Sequence, residues 1–132
     1  MIFVDTSFWV ALRNRRDSHH AEAAALVGAH GRAQLVTTNH VRGETWTFLR
    51  RRAGHRSAIS FLDAIGRAER LRIVHVTENQ EQQALSWLRR RDDREYSFVD
   101  ATSFTVMRSL RVREALAFDN DFAAAGFIEL RQ

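Results

Sequence analysis

Among the 132 residues there is no cysteine, no proline and no lysine. Without cysteine there is no disulfide, no thiolate nucleophile and no zinc site built on sulfur, which suits a reducing compartment. A chain of this length buries roughly two thirds of its unfolded surface, so one domain over residues 1–132 needs no covalent staple. Without proline, the breaks between elements fall to Gly, Asn, Asp and Ser. Without lysine there is no P-loop, and folds that set a lysine beside catalytic aspartates for phosphoryl transfer are excluded with it. The six glycines form no G-x-G-x-x-G, and neither G-x-S-x-G nor H-E-x-x-H occurs. Long apolar runs are also missing. None approaches the length of a membrane span. The first residues, "MIFVDTSFWV", place Asp5 inside the apolar run and no charged region before it, unlike a signal peptide. The expectation is a cytoplasmic protein with no membrane contact.

What the chain has in quantity is arginine, which supplies all twenty cations. The formal net charge is only +4. The isoelectric point of 11.1 overstates that basicity, because with no cysteine and one tyrosine little titrates between neutrality and arginine itself. An all-arginine surface reflects either compositional bias or phosphate binding, for which the guanidinium fork is suited. The six histidines are scattered, and the pair His19-His20 opens a helix-like segment and reads as surface.

Hydrophobic periodicity divides the chain into alternating elements with no repeat and no linker. Strands are expected over 2–5, 34–38, 71–76, 114–119 and 127–130. Helices are expected over 6–14, 19–29, 40–52, 56–69, 78–91 and 97–110. Such alternation implies an α/β fold, a parallel sheet covered on both faces. Ligands of such sheets sit beyond the carboxyl ends of the strands. Asp5 ends the first expected strand and Asp119 the fourth, while Asp100 falls in the first turn of the helix leading to that fourth strand.

Each of these acids has an ordinary reading. Asp5 can cap the helix that follows it. Ser97 and Asp100 in "SFVD" fit a capping box. Asp119 in "FDND" can start a turn. Glu44 is harder to explain locally. It stands at the shoulder of the apolar face made by Val41, Thr45, Phe48 and Leu49, with no arginine one turn away to pair with it. Several carboxylates at one sheet edge repel by about 4 kcal/mol per close pair at an effective dielectric near 20. A divalent cation among them removes that cost, and oxygen ligands without His or Cys suit Mg²⁺ or Mn²⁺ better than Zn²⁺.

The segments "VDTSFWVALRNR", "TTNHVRGETWTFLRRR", "YSFVDATSFTVM" and "LAFDNDF" together resemble the PIN-domain nucleases, and among them the VapC-type toxins of toxin–antitoxin pairs. The resemblance runs in order along essentially the whole chain. It implies a three-layer α/β/α sandwich around a parallel five-stranded sheet. It implies an endoribonuclease, dependent on Mg²⁺ with Mn²⁺ able to substitute, that cleaves RNA phosphodiesters by metal-activated water. Asp5, Glu44, Asp100 and Asp119 stand at the positions of the family's catalytic, metal-binding acids. Asp121 matches an additional acid of many members, and either assists the metal or holds the turn. Thr6 and Ser7 match small hydroxyl residues that support the first acid. The resemblance also implies a homodimer and a small VapB-like antitoxin as partner. Trp46, Phe48, Phe61 and Leu62 form either its groove or core.

Arg13, Arg15, Arg16, Arg50, Arg51 and Arg52 are candidates for contacts to flanking RNA phosphates. Two alternatives remain at this stage. A non-catalytic nucleic-acid-binding or scaffold protein on the same fold needs no convergence of the acids. A flap-type DNA nuclease needs extra acids and helical insertions, for which the chain has little room.

Overall fold

The computed structural model describes residues 1–132. Five strands form one sheet in the order β3-β2-β1-β4-β5, with every pairing parallel. The strands are β1 (Ile2–Val4), β2 (Leu35–Thr38), β3 (Leu71–Val74), β4 (Glu114–Leu116) and β5 (Ile128–Glu129). The helices are α1 (Thr6–Arg13), α2 (His20–Ala29), α3 (Asn39–Arg52), α4 (His55–Arg67), α5 (Glu78–Arg89), α6 (Phe98–Leu110) and α7 (Asp121–Ala124).

Alternation along β1 assigns the two faces of the sheet. Phe3 packs into a cluster with Ala84, Trp87, Phe104, Met107 and Phe122, contributed by α5, α6 and α7. Ile2 and Val4 point the other way, onto Phe8, Ala11, Ala23 and Leu26 of α1 and α2. A third cluster, Val10, Leu49, Ala58, Phe61 and Ile65, joins α1, α3 and α4. The result is the expected α/β/α sandwich.

Helix α6 is buried without interruption from Asp100 to Met107. Two of its hydroxyls bond back to the helix, Thr102 Oγ1 donating to the Val99 carbonyl and Thr105 Oγ1 to that of Ala101, whereas Ser103 Oγ is buried without a partner. The sheet is tied laterally where Thr37 Oγ1 of β2 donates to the Val4 carbonyl at 2.8 Å.

Three local departures from the sequence reading matter. Strand β4 stops at Leu116 rather than Asp119. The next residues turn, with Asn120 in the left-handed region at φ 66°, and a short helix, α7, follows that periodicity over four residues cannot reveal. Strand β3 ends at Val74, and the amide of Val76 leaves the ladder to donate to Asn39 Oδ1. Phe61, one of the residues considered for an exposed groove, is fully buried core, whereas Leu62 is exposed.

Candidate active site

The chain lays β1, β2 and β3 outward on one side, then returns to lay β4 and β5 on the other. The strand order therefore reverses between β1 and β4, and a crevice opens beyond their carboxyl ends. A cavity of about 390 Å³ lies there, and Asp5, Glu44, Asp100, Asp119 and Asp121 all line it. Thr6 and Ser7 line it as well. Of the five acids, Asp100, Asp119 and Asp121 form the tightest group, with one ligand atom from each lying within 4.8 Å of the others. Asp5 and Glu44 face the same space from outside that group.

Asp5 follows β1 directly and is the N-cap of α1. Its Oδ2 accepts from the Ser7 amide at 3.1 Å and from Ser7 Oγ at 2.7 Å. Ser7 Oγ in turn accepts from the Phe118 amide at 3.0 Å. One hydroxyl thus sets the first acid and the segment that carries Asp119. Asp100 is held by the capping box expected from "SFVD": its Oδ2 accepts from the Ser97 amide at 3.0 Å, and its own amide donates to Ser97 Oγ at 2.9 Å. Capping and facing the cavity are therefore not alternatives for these two acids. In each, one oxygen caps a helix and the other is left without a protein partner.

The turn after β4 follows the same pattern. Asp119 Oδ1 accepts from the Asp121 amide at 3.1 Å, so the side chain of Asp119 closes the turn, not that of Asp121. Asp121 Oδ1 is engaged by Arg94 Nε at 2.6 Å, and Arg94 Nη2 donates to the Asp119 carbonyl at 3.2 Å. Glu44, half-buried on α3, enters no ion pair.

Burial and mutual repulsion push three of the acids up. Asp5 is raised to about 8, first by desolvation and then by the charge of Asp119. Asp119 is raised to about 7 by burial, with Asp121 and Asp100 adding to it. Asp100 is raised to about 6 by burial, with Asp121 and, less strongly, Glu44 contributing. Carboxyls crowded enough to hold their protons can release them to a divalent cation, whose charge removes the repulsion. The unbonded oxygens supply a set of hard donors aimed at one space. A buried hydroxyl without a partner, Thr6 Oγ1, also lines the cavity. It makes no bond to Asp5, unlike Ser7.

The arginines divide. Arg52 lines the cavity with its guanidinium 4.8 Å from the Phe48 ring. Arg13 instead donates to Ser60 of α4 and borders a separate depression with Arg56 and Arg67. Arg15, Arg16, Arg50 and Arg51 are exposed. The cation that touches the acids, Arg94, stands in the charged run "RRRDDRE" between α5 and α6, where its neighbours in sequence give no hint of its partner. His19 is at the surface, as its sequence context suggests, with a setting that the sequence does not reveal. It stands on the cavity rim and stacks on Phe118.

The family model of the PIN domain matches residues 2–128. The 23S rRNA-specific endonuclease VapC20 of Mycobacterium tuberculosis, in strains CDC 1551 / Oshkosh and H37Rv, is 55% identical over 131 residues, which is 99% of this chain and 98% of the relative. The crystal structure of that organism's VapC20, described as a sarcin–ricin loop cleaving toxin, matches with a TM-score of 0.94 at 53% identity, covering 100% of both chains.

Proposed function

The chain belongs to the PIN-domain family, and from that premise we propose that it is a Mg²⁺-dependent endoribonuclease, Mn²⁺ substituting, that serves as the toxin of a toxin–antitoxin pair. The observation that carries this reading is the convergence of the five expected carboxylates on one crevice, which Asp17 and Glu95 also border, with an unbonded oxygen on Asp5, Asp100, Asp119 and Asp121. A scaffold protein has no use for such a repelling cluster. Asp5, Glu44, Asp100 and Asp119 would hold the cation, with Asp121 as a fifth donor. Such an ion would supply Lewis acidity to a water nucleophile and to the phosphate oxygens.

The chain's own contribution is orientation. Ser7 fixes the rotamer of Asp5, the Ser97 amide fixes that of Asp100, and Thr6 borders the same space. Arg94 holds Asp121 and Arg52 offers a cation at the rim for a flanking phosphate. The length-wide likeness to a 23S rRNA-specific endonuclease points to the sarcin–ricin loop as substrate. A single PIN domain over 1–132, a homodimer, a VapB-like antitoxin and a cytoplasmic location complete the proposal. No helix is long and apolar enough to cross a membrane.

Incubation with an RNA hairpin carrying that loop tests it. Cleavage is expected in Mg²⁺ or Mn²⁺ and none in EDTA. An intact hairpin under all metal conditions, or cutting that persists in EDTA, would sink the reading.

A further inference from the structure

We propose that the His19–Phe118 ring pair is a platform on which one unpaired base of the RNA stacks beside the scissile phosphate, making His19 a substrate-positioning residue. The inference rests on the nuclease reading above. His19 occupies the N-cap of α2, a place suited to Ser, Asp or Asn, yet its side chain caps nothing. Its ring lies flat on Phe118, with centroids 4.4 Å apart and planes within 5°. Glu22 Oε1 is 3.9 Å from its Nδ1, too far for a hydrogen bond. No hydrogen bond of the side chain accounts for where the ring sits, and Glu22 reaches it only at ion-pair distance.

Both rings are held firmly. The His19 amide donates to Asp17 Oδ1 at 2.8 Å, and its carbonyl accepts from the Ala23 amide at 2.9 Å. Phe118 stacks with Phe8, lies 5.3 Å from the Arg131 guanidinium, and is pinned through its amide to Ser7 Oγ. That hydroxyl is the one that orients Asp5, and the residue after Phe118 is Asp119. The platform is therefore indexed to the acids by covalent and hydrogen bonds. It nonetheless keeps a face for a ligand: the His19 side chain is 48% exposed, and both rings line the acidic cavity. Unpaired RNA bases stack on His and Phe side chains, and a π face suffices to receive them.

Steady-state cleavage of a loop oligonucleotide, its cut position mapped first, separates the possibilities. His19→Ala is expected to raise KM about ten-fold with a smaller change in kcat, the scale of one lost stacking contact. His19→Phe, which keeps the face and loses the nitrogens, is expected to restore KM. Should the alanine variant fail to fold, His19→Gln against His19→Phe makes the same comparison. An unchanged KM in His19→Ala, or a phenylalanine variant as impaired as the alanine one, overturns the platform while leaving the nuclease reading intact. Parent protein that cuts no RNA overturns both.

Discussion

Ser7 Oγ bonds on both sides, donating to Asp5 and accepting from the Phe118 amide. Ser7→Ala removes both bonds and strands an amide, which is expected to cost about 1–3 kcal/mol. Urea unfolding measures it, and a variant as stable as the parent would show the hydroxyl to be dispensable to the fold. Asp5 is the sharper probe. Its pKa near 8 means that without metal it is largely protonated at neutral pH. Asparagine is nearly its equal as an N-cap, so metal-free Asp5→Asn is expected to melt at or slightly above the parent's temperature. Cleavage, by contrast, is expected to fall by orders of magnitude, and Mg²⁺ to stabilise the variant less. A folded Asp5→Asn protein that cuts at the parent's rate removes Asp5 from the site and leaves it only a cap. These roles were legible in the sequence to different degrees. Asp5, Asp100 and Asp119 stood out because each falls at the edge of an expected element, and Glu44 because no local cation pairs with it. Arg94 did not, because a cation in a run of charges has as many apparent partners as neighbours.

At the scale of elements, the turn from β4 into α7 shows why boundaries misled. The run "EALAF" reads as one strand, but its pairing with β1 ends at Leu116, and what turns the chain is Asn120 at φ 66° together with the Asp119 carboxylate on the Asp121 amide. Periodicity sees apolar residues and not a single left-handed residue. Asn120→Gly is expected to be within a few tenths of a kcal/mol of the parent, whereas Asn120→Val, β-branched in the left-handed region, is expected to cost about 1–2 kcal/mol. Thermal melting of the two variants distinguishes them, and equal melting temperatures would mean that the turn has an easy alternative conformation. The parallel sheet itself was readable, since strands alternating with helices leave few other arrangements. The short β5 was readable as a strand from "FIEL", though longer than the two residues that pair, and α7 was not readable at all.

For the whole molecule, the raised acids tie stability to pH. Asp5, Asp100 and Asp119 all hold protons more tightly folded than unfolded. Between about pH 4 and 8 the native state therefore binds more protons, and stability falls as pH rises. Metal-free protein is expected to melt higher at pH 5.5 than at pH 8. Millimolar Mg²⁺, bound only by the folded state with its acids ionised, is expected to stabilise more at pH 8 than at pH 5.5. A chelated protein that melts lower at pH 5.5 would contradict the burial and repulsion assigned to these groups. The strand order bears on how such a protein comes into being in a living cell. Strand β4, although it lies beside β1 at the middle of the sheet, is synthesised after β2, β3 and the six helices that precede it. Asp119 and Asp121 emerge later still. An incomplete nascent polypeptide carries Asp5, Glu44 and Asp100 but lacks the neighbour that brings them into register. The acid set is therefore closed only when β4 docks beside β1, and a chain truncated before Glu114 keeps three of the five acids without the strand that sets the other two.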